Sequence, residues 1–251
     1  MRLRRLTTVG ALLLAAAPAL AGAPEARRVV EALVARLAAA RVEDLAIRQT
    51  LTIYRPDGRF PQSSGEQVLY VKLPRRQRLE QTIDGRREVR LTVDDRVWVR
   101  DAEGRVREAT GEAAAGPGPL LAPLAREADA LLAEWRALGI RDTVTHEARV
   151  RGRPVVVIGA APEEREQPAV WLDPEYGVVR LVTRGRLPHG AGLLDVALSE
   201  HRLLVPGLYL PYRQEVFADG RLLFLVTVRA AAANVGLPDA LFDPEALRRE
   251  R

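Results

Sequence analysis

The chain has 251 residues, no cysteine and a net charge of +5 at neutral pH. The absence of cysteine excludes disulfides and a lipidated N-terminal cysteine, so stability must come from buried apolar surface. All but one of its 38 basic residues are arginines, and they recur singly beside Asp and Glu. This spacing indicates solvated strand faces rather than the clustered positive face of a nucleic-acid binder, so we expect no nucleic-acid partner.

The first 21 residues have the pattern of a secretory signal peptide. Arg2, Arg4 and Arg5 precede an apolar stretch at residues 12–20, and small residues follow up to Ala21. The alternative is an uncleaved anchor, but the apolar run is shorter than the ~20 residues that span a bilayer. The sequence therefore predicts cleavage after Ala21 and a periplasmic product of one domain, residues 22–251.

The next segment changes from helical to strand periodicity. Val30, Leu33 and Leu37 stand at helical spacing within residues 25–40, which predicts an amphipathic helix. Apolar and polar residues then alternate in short runs that Asp-Gly and similar turn dipeptides separate. The sequence predicts a mainly β fold with helices (α+β): an unclosed antiparallel β-barrel or strongly curved sheet of about a dozen strands, with its concave face covered by amphipathic helices.

One segment interrupts the strands. Residues 110–119 are small and rich in glycine and proline, and residues 120–138 carry a helical apolar stripe made of Leu121, Leu124, Leu131, Trp135 and Leu138. A helix of this kind either packs as ordinary core or covers a pocket for an apolar ligand. We interpret residues 120–138 as a lid helix on a flexible tether.

Catalytic and metal-binding motifs are incomplete in this chain. His146-Glu147 begins like a zinc-binding HExxH motif, but position 150 is valine. The three serines lack a GxSxG surround, and the glycine–proline loop lacks a phosphate-binding pattern. We predict no catalytic residue, no metal and no cofactor. The alternative is a hydrolase whose site is assembled from distant strands.

Four short segments carry motifs in a consistent order. They are "GEQVLYVKLPRRQRLEQTIDG" (65–85), "VDDRVWVRDAEGRV" (93–106), "AVWLDPEYGVVRLV" (169–182) and "NVGLPDALFDP" (234–244). Together they resemble the LolA-like periplasmic lipoprotein carriers, whose paired strands and Asn to Leu-Phe ending have a similar order. The resemblance implies an unclosed barrel with a helical lid, an apolar cavity that holds acyl chains, and no enzymatic activity.

The resemblance also suggests which residues bind the ligand. The expected cavity and lid residues are Leu51, Ile53, Val71, Leu91, Leu121, Leu124, Leu131, Trp135 and Phe242. Carriers of this kind place an arginine on an early strand to hold the lid, and Arg48 and Arg78 are the candidates. At the other end of the chain, Asn234 should leave the last strand with an unusual φ, and Leu241 with Phe242 should fold back as an apolar plug or simply as a tail packed on the core.

Three functions are compatible with the sequence. The first is a soluble periplasmic carrier that binds acyl chains of lipoproteins or lipids and delivers them towards the outer membrane. Its partners would be the acylated cargo, an inner-membrane donor and an outer-membrane acceptor, with only transient membrane proximity. The second is a lipid-sensing regulatory or interaction module of the same fold, and the third is the hydrolase.

Overall fold

The computed structural model describes residues 25–109, 124, 126–187 and 190–250. The predicted signal peptide and the glycine- and proline-rich segment 110–119 lie outside the described residues. The helices are α1 (Ala26–Ala39), α2 (Ala128–Ala137) and α3 (Pro244–Arg249), with a 3-10 turn at Asp239–Phe242. The strands are β1 (Asp44–Tyr54), β2 (Pro61–Lys72), β3 (Arg76–Ile83), β4 (Arg86–Val93), β5 (Arg96–Arg100), β6 (Val106–Ala109), β7 (Thr145–Val150), β8 (Arg153–Ile158), β9 (Ala169–Asp173), β10 (Gly177–Leu187), β11 (Gly190–Val205), β12 (Leu208–Ala218) and β13 (Arg221–Ala233).

The thirteen described strands form one antiparallel sheet. Their order is β6-β5-β4-β3-β2-β1-β13-β12-β11-β10-β9-β8-β7: β1 to β6 follow one another, β7 to β13 follow one another, and β1 joins β13. β6 and β7 stand at the two edges and do not pair with each other. The sheet is therefore unclosed, which confirms the predicted fold class.

Tight turns produce this meander. Asp84 and Gly85 have φ of 49° and 77°, and Asp219 and Gly220 have φ of 48° and 77°. Positive φ at both central residues matches the twist of two-residue hairpins, and aspartate and glycine tolerate it best. The turn dipeptides of the sequence therefore place consecutive strands next to each other in the sheet.

Both long helices lie on one face of the sheet. Val30 and Leu33 of α1 form a cluster with α2 and with buried side chains of β8–β11. Leu37, near the end of α1, contacts this cluster and also a second one that contains Leu45 and Ile47 of β1. Because one short helix touches strands from both halves, the sheet curves around it. We call this side the helix-bearing face.

The second helix is shorter than the sequence predicts. Glu127 is extended, with φ of −77° and ψ of 160°, and helix α2 begins only after it. Gly139, with φ of 84°, ends the helix by taking the left-handed conformation that favours glycine. Leu131 and Trp135 are buried against α1 and the sheet, with exposed fractions of 0% and 5%.

No helix among the described residues is long and apolar enough to cross a bilayer.

The C-terminal segment, residues 234–250, begins with the predicted unusual backbone. Asn234 has φ of 57°; its side-chain oxygen accepts from the N–H of Glu43 at 2.8 Å, and its amide donates to the carbonyl of Arg41 at 3.1 Å. The buried Asp44 carboxylate accepts the next three backbone N–H groups, those of residues 235–237, at 2.7, 3.0 and 2.9 Å. Side chain and backbone together fix the direction in which the segment leaves β13.

The rest of the segment covers the side of the sheet opposite the helices. Phe242 and Leu247 pack with Val89, Leu91 and Trp98 of β4 and β5. Phe242 is 3% exposed. The predicted fold-back of the Leu-Phe pair is present, and it covers the outer side of β3–β5, which we call the opposite face.

Candidate functional site

An apolar row crosses the helix-bearing face where α1 does not cover it. Residues paired directly across antiparallel strands share a face. The pairs Ile53–Phe224, Leu51–Val226, Val216–Phe224 and Val196–Val216 therefore place six side chains on one face, Leu51, Ile53, Val196, Val216, Phe224 and Val226. All six are only partly buried. We call these six residues the apolar row.

The row is continuous with the helix-covered core. Val196 packs against the cluster formed by α1, α2 and β8–β11. Across β10–β11 it pairs with Leu181, which belongs to that cluster. An apolar ligand bound on the row would therefore extend an existing core and would meet α2 at one end.

A line of glutamines borders the row on the side of β2–β4. Gln49 donates to Gln67 at 2.8 Å, Gln67 donates to Gln81 at 3.0 Å, and Gln81 donates to the Glu88 carboxylate at 3.2 Å. A carboxylate only accepts, so Glu88 fixes the direction of all three amides. The register 49–67 and 67–81 puts this glutamine ladder on the helix-bearing face. The ladder separates the buried core around Leu69 from the partly exposed row.

Replacing Gln67 by leucine should lower the free energy of unfolding by about 1–3 kcal/mol, because Gln49 loses its acceptor and Gln81 loses a donor. Gln67 is 7% exposed, so water cannot readily replace the lost bonds. Urea unfolding measures the change, and Gln62→Leu on the exposed end of the same strand is the matched control. Equal stability of the two variants would mean that the ladder contributes nothing to the free energy of unfolding.

A groove beside α1 offers a second apolar surface. It has a volume of about 860 Å³ and lies between Val29, Ala32 and Leu33 of α1 and strands β7–β9, including Val156 and Leu172. Val156 and Leu172 pair with each other on the helix-bearing face. The groove and the row thus flank the helices on the same side of the sheet.

The structure divides the predicted cavity residues between two faces. Leu51, Ile53 and Val71 lie on the helix-bearing face together with Leu124, Leu131 and Trp135. Leu91 pairs with Arg78, Arg78 with Tyr70 and Tyr70 with Ala46, which places Leu91 on the opposite face. Phe242 packs there with it. These two residues line no surface shared with Leu51, and Leu121 lies outside the described residues.

The two candidate arginines also lie on the opposite face. The Arg78 guanidinium donates to Glu80 at 2.7 Å, to Glu250 at 2.9 Å and to the carbonyl of Leu241 at 3.3 Å. Burial alone would raise the pKa of Glu80, but hydrogen bonds from Arg78 and Arg87 hold it below its usual value. Arg78 thus fixes the C-terminal segment, while Arg48 is exposed. Neither arginine is placed to hold α2.

Most of the apolar row was not predicted from the sequence. Val216, Phe224 and Val226 lie in stretches of β12 and β13 where apolar residues occupy both faces, as in "LLFLVTV" at residues 222–228. Without alternation, the sequence does not say which side chains share a face. The glutamines gave a usable signal, because Gln49, Gln67 and Gln81 each stand at an inward position of an alternating run.

The described residues contain no group of His, Asp and Glu side chains arranged to hold a metal ion. His146 lies on β7, directly opposite Val157 of β8. The chemistry available on the helix-bearing face is therefore burial of apolar groups beside hydrogen-bonding amides.

Solved structures with the same arrangement of strands and helices point to one fold. A domain from Vibrio parahaemolyticus assigned to outer membrane lipoprotein sorting matches with a TM-score of 0.61 at 13% identity, covering 89% of this chain and 100% of that one. A LolA superfamily protein from Nitrosomonas europaea matches with a TM-score of 0.54 at 10% identity, covering 89% and 99%. This chain has the LolA-like fold.

A third structure with the LolA-like arrangement is a DUF1329 family protein from Desulfovibrio piger. It matches with a TM-score of 0.59 at 15% identity, covering 89% of this chain and 100% of that one. No family sequence model matches the chain. No curated protein sequence matches it either. The likeness lies in the backbone, and it confirms the LolA-like resemblance that the sequence suggested.

Proposed function

We propose that this protein is a periplasmic carrier that binds the acyl chains of lipoproteins or lipids on the apolar row. The observation that carries the proposal is the row itself: six apolar side chains, partly exposed, on the helix-bearing face of a LolA-like sheet. Burying an acyl chain contributes about 0.8 kcal/mol per CH₂, so a chain of ~14 carbons binds tightly enough to be held and weakly enough to be released. This function requires no covalent chemistry, and we propose no enzymatic activity.

A charge placed in the row tests the site. Val226→Glu should weaken binding of a fluorescent fatty-acid probe at least tenfold, because the new carboxylate must be desolvated before a chain can cover it. Stability should change little, since Val226 is partly exposed before the change. Thr227→Glu is the matched control, because Thr227 is the next residue of β13 and points to the opposite face. Unchanged probe binding by a folded Val226→Glu variant would place the ligand elsewhere.

The natural cargo is identified by mass spectrometry of ligands extracted from protein purified out of the periplasm. We expect an acylated molecule, and we expect the protein to pass it to acceptor membranes or an acceptor protein on mixing. Two further proposals go with this: cleavage of the signal after Ala21, and a donor in the inner membrane with an acceptor in the outer membrane. Co-purification of a stable protein partner without transfer of lipid would favour the lipid-sensing module instead.

A further inference from the structure

A small pocket lies on the other side of the sheet from the apolar row. It has a volume of about 260 Å³ and is lined by residues of β7–β11 and their turns, among them Val155, Tyr176, Val179, Ser199 and His201. Ser199 follows Leu198, which packs into the helix-covered cluster. Successive residues of a strand point to opposite faces, so Ser199 opens onto the opposite face. An acyl chain on the row does not reach this pocket.

Two buried polar atoms in the pocket lack a hydrogen-bond partner among the described residues. The Ser199 hydroxyl oxygen and the His201 Nε2 form no hydrogen bond within the part of the chain that the structure describes. Ser199 is only 4% exposed. Buried polar atoms in native proteins are almost always hydrogen-bonded, and the exceptions call for an explanation. Two of them lining one cavity indicate a bound group that supplies the missing partners.

The backbone between these two residues is strained. Glu200 has φ of 57°, a left-handed conformation that is rare for a non-glycine residue in a strand. β11 pairs with β12 through Ser199–Arg213 and His201–Pro211, while Glu200 has no partner in the register. Strained conformations persist where the surrounding structure determines them, and they cluster at functional sites. Here the strain accompanies the two orphaned polar atoms.

A fixed stack holds one wall of the pocket. The Arg153 guanidinium lies 4.0 Å from the centre of the Tyr176 ring, and Tyr176 stacks on His201 with centroids 4.5 Å apart and 9° between the planes. Arg153 in turn binds the Asp173 carboxylate with two hydrogen bonds, of 2.6 and 3.0 Å. The imidazole is therefore held in place before any ligand arrives.

The charges that face the pocket balance one another. Arg151 and Arg153 are matched by the acidic side chains of Asp173 and Glu200. Burial tends to raise the pKa of Asp173, but hydrogen bonds from Arg153 and from two backbone N–H groups keep it below its usual value. Burial also lowers the pKa of His201 to about 4, which keeps its imidazole neutral near pH 7. The pocket thus offers neither net positive nor net negative charge to a ligand.

We propose that this pocket binds a small uncharged molecule that presents a hydrogen-bond donor and an acceptor, such as a primary amide or a hydroxyl, on an apolar body. The Ser199 hydroxyl both donates and accepts, and a neutral imidazole nitrogen does one of the two. Val155 and Val179 line the pocket and contact the apolar body. This proposal does not depend on the acyl-binding function, because the two sites lie on opposite faces of the sheet.

Calorimetric titration with benzamide, benzoate and benzylamine tests the proposal. Benzamide should bind, and the two charged analogues should bind at least tenfold more weakly, because the balanced charges of the lining offer no net attraction to offset the desolvation of a charged ligand. Ser199→Ala should weaken benzamide binding about tenfold, the effect of one hydrogen bond to the ligand. The control Ser64→Ala, at an exposed serine of β2, should leave binding unchanged.

Thermal melting without ligand supplies a second readout. Ser199→Ala should leave the melting temperature unchanged or raise it, because the variant removes a buried hydroxyl that bonds to none of the described residues. A clear fall in the melting temperature would show that the hydroxyl is already bonded within the protein, and the proposal would fail. It also fails if wild-type protein binds none of the three probes, or if a crystal structure shows only a water molecule bridging Ser199 and His201.

Discussion

Replacing Leu131 by glutamate should lower the free energy of unfolding by about 3–5 kcal/mol, because a buried leucine is lost and a carboxylate must be desolvated or expelled. Leu131 is 0% exposed and packs with Val30 of α1 and with Ile158 and Val170 of the sheet. For a domain of this size the melting temperature should fall by roughly 10–15 °C. Ala133→Glu introduces the same charge on the exposed side of α2 and should change stability by less than about 0.5 kcal/mol.

The same variant shows whether α2 acts as a lid. The core formed by β1, β2, β12 and β13 and the cluster around Trp98 contain no residue of α2. A carboxylate at position 131 should therefore displace α2 and leave strand pairing intact, while capture of the fatty-acid probe is lost. Circular dichroism reports the sheet, and limited proteolysis reports the helix. A wild-type melting temperature would show that α2 docks too weakly to cover anything, and loss of all β signal would make the helix an obligatory part of the core.

Replacing Asp44 by alanine should cost about 3–5 kcal/mol, because three backbone N–H groups lose a charged acceptor at a site with little access to water. The Asp44 side chain accepts from residues 235, 236 and 237, and the residue is 4% exposed. Without these bonds the C-terminal segment loses its fixed starting direction. We therefore expect Phe242 to leave its place beside Trp98 and Leu91.

Urea unfolding and amide hydrogen exchange measure this effect. Exchange at residues 235–237 should become fast in Asp44→Ala, and Asp44→Asn, which keeps one side-chain oxygen, should give an intermediate loss of stability. Asp57→Ala is the matched control, since Asp57 is exposed and accepts one turn hydrogen bond, from the N–H of Arg59 at 3.0 Å. If Asp44→Ala is no less stable than Asp57→Ala, the C-terminal segment is held by its apolar contacts alone.

These two variants act on different layers of the molecule. Leu131 belongs to the helix-bearing face, where the carrier proposal places the ligand, and Asp44 fixes a segment that covers the opposite face. Loss of probe binding in the first variant but not in the second would support a ligand between helix and sheet. Loss in both would mean that closing the opposite face is needed to shape the sheet.

Local chemistry was sufficient to predict the fold class and the hairpins. Alternating apolar residues and Asp-Gly turns determine antiparallel neighbours, because both act over a few residues, and the sheet follows the predicted meander. The position of Asn234 was also readable from sequence. Its short amide side chain tolerates a positive φ and binds nearby backbone, and the structure shows both.

Which side chains share a surface depends on strand pairing across the whole sheet. Leu51 and Leu91 look alike in sequence, yet strand register puts them on opposite faces, because a shift of one residue in pairing reverses every side chain. From the sequence, Arg78 was a candidate to hold a lid, but its guanidinium donates to Glu80 on its own strand and to Leu241 and Glu250 of the C-terminal segment. The pairing of β1 with β13, far apart in the chain, assembled the apolar row. Pairing between strands so far apart in the chain requires the rest of the sheet to have formed. No short stretch of the sequence encodes it.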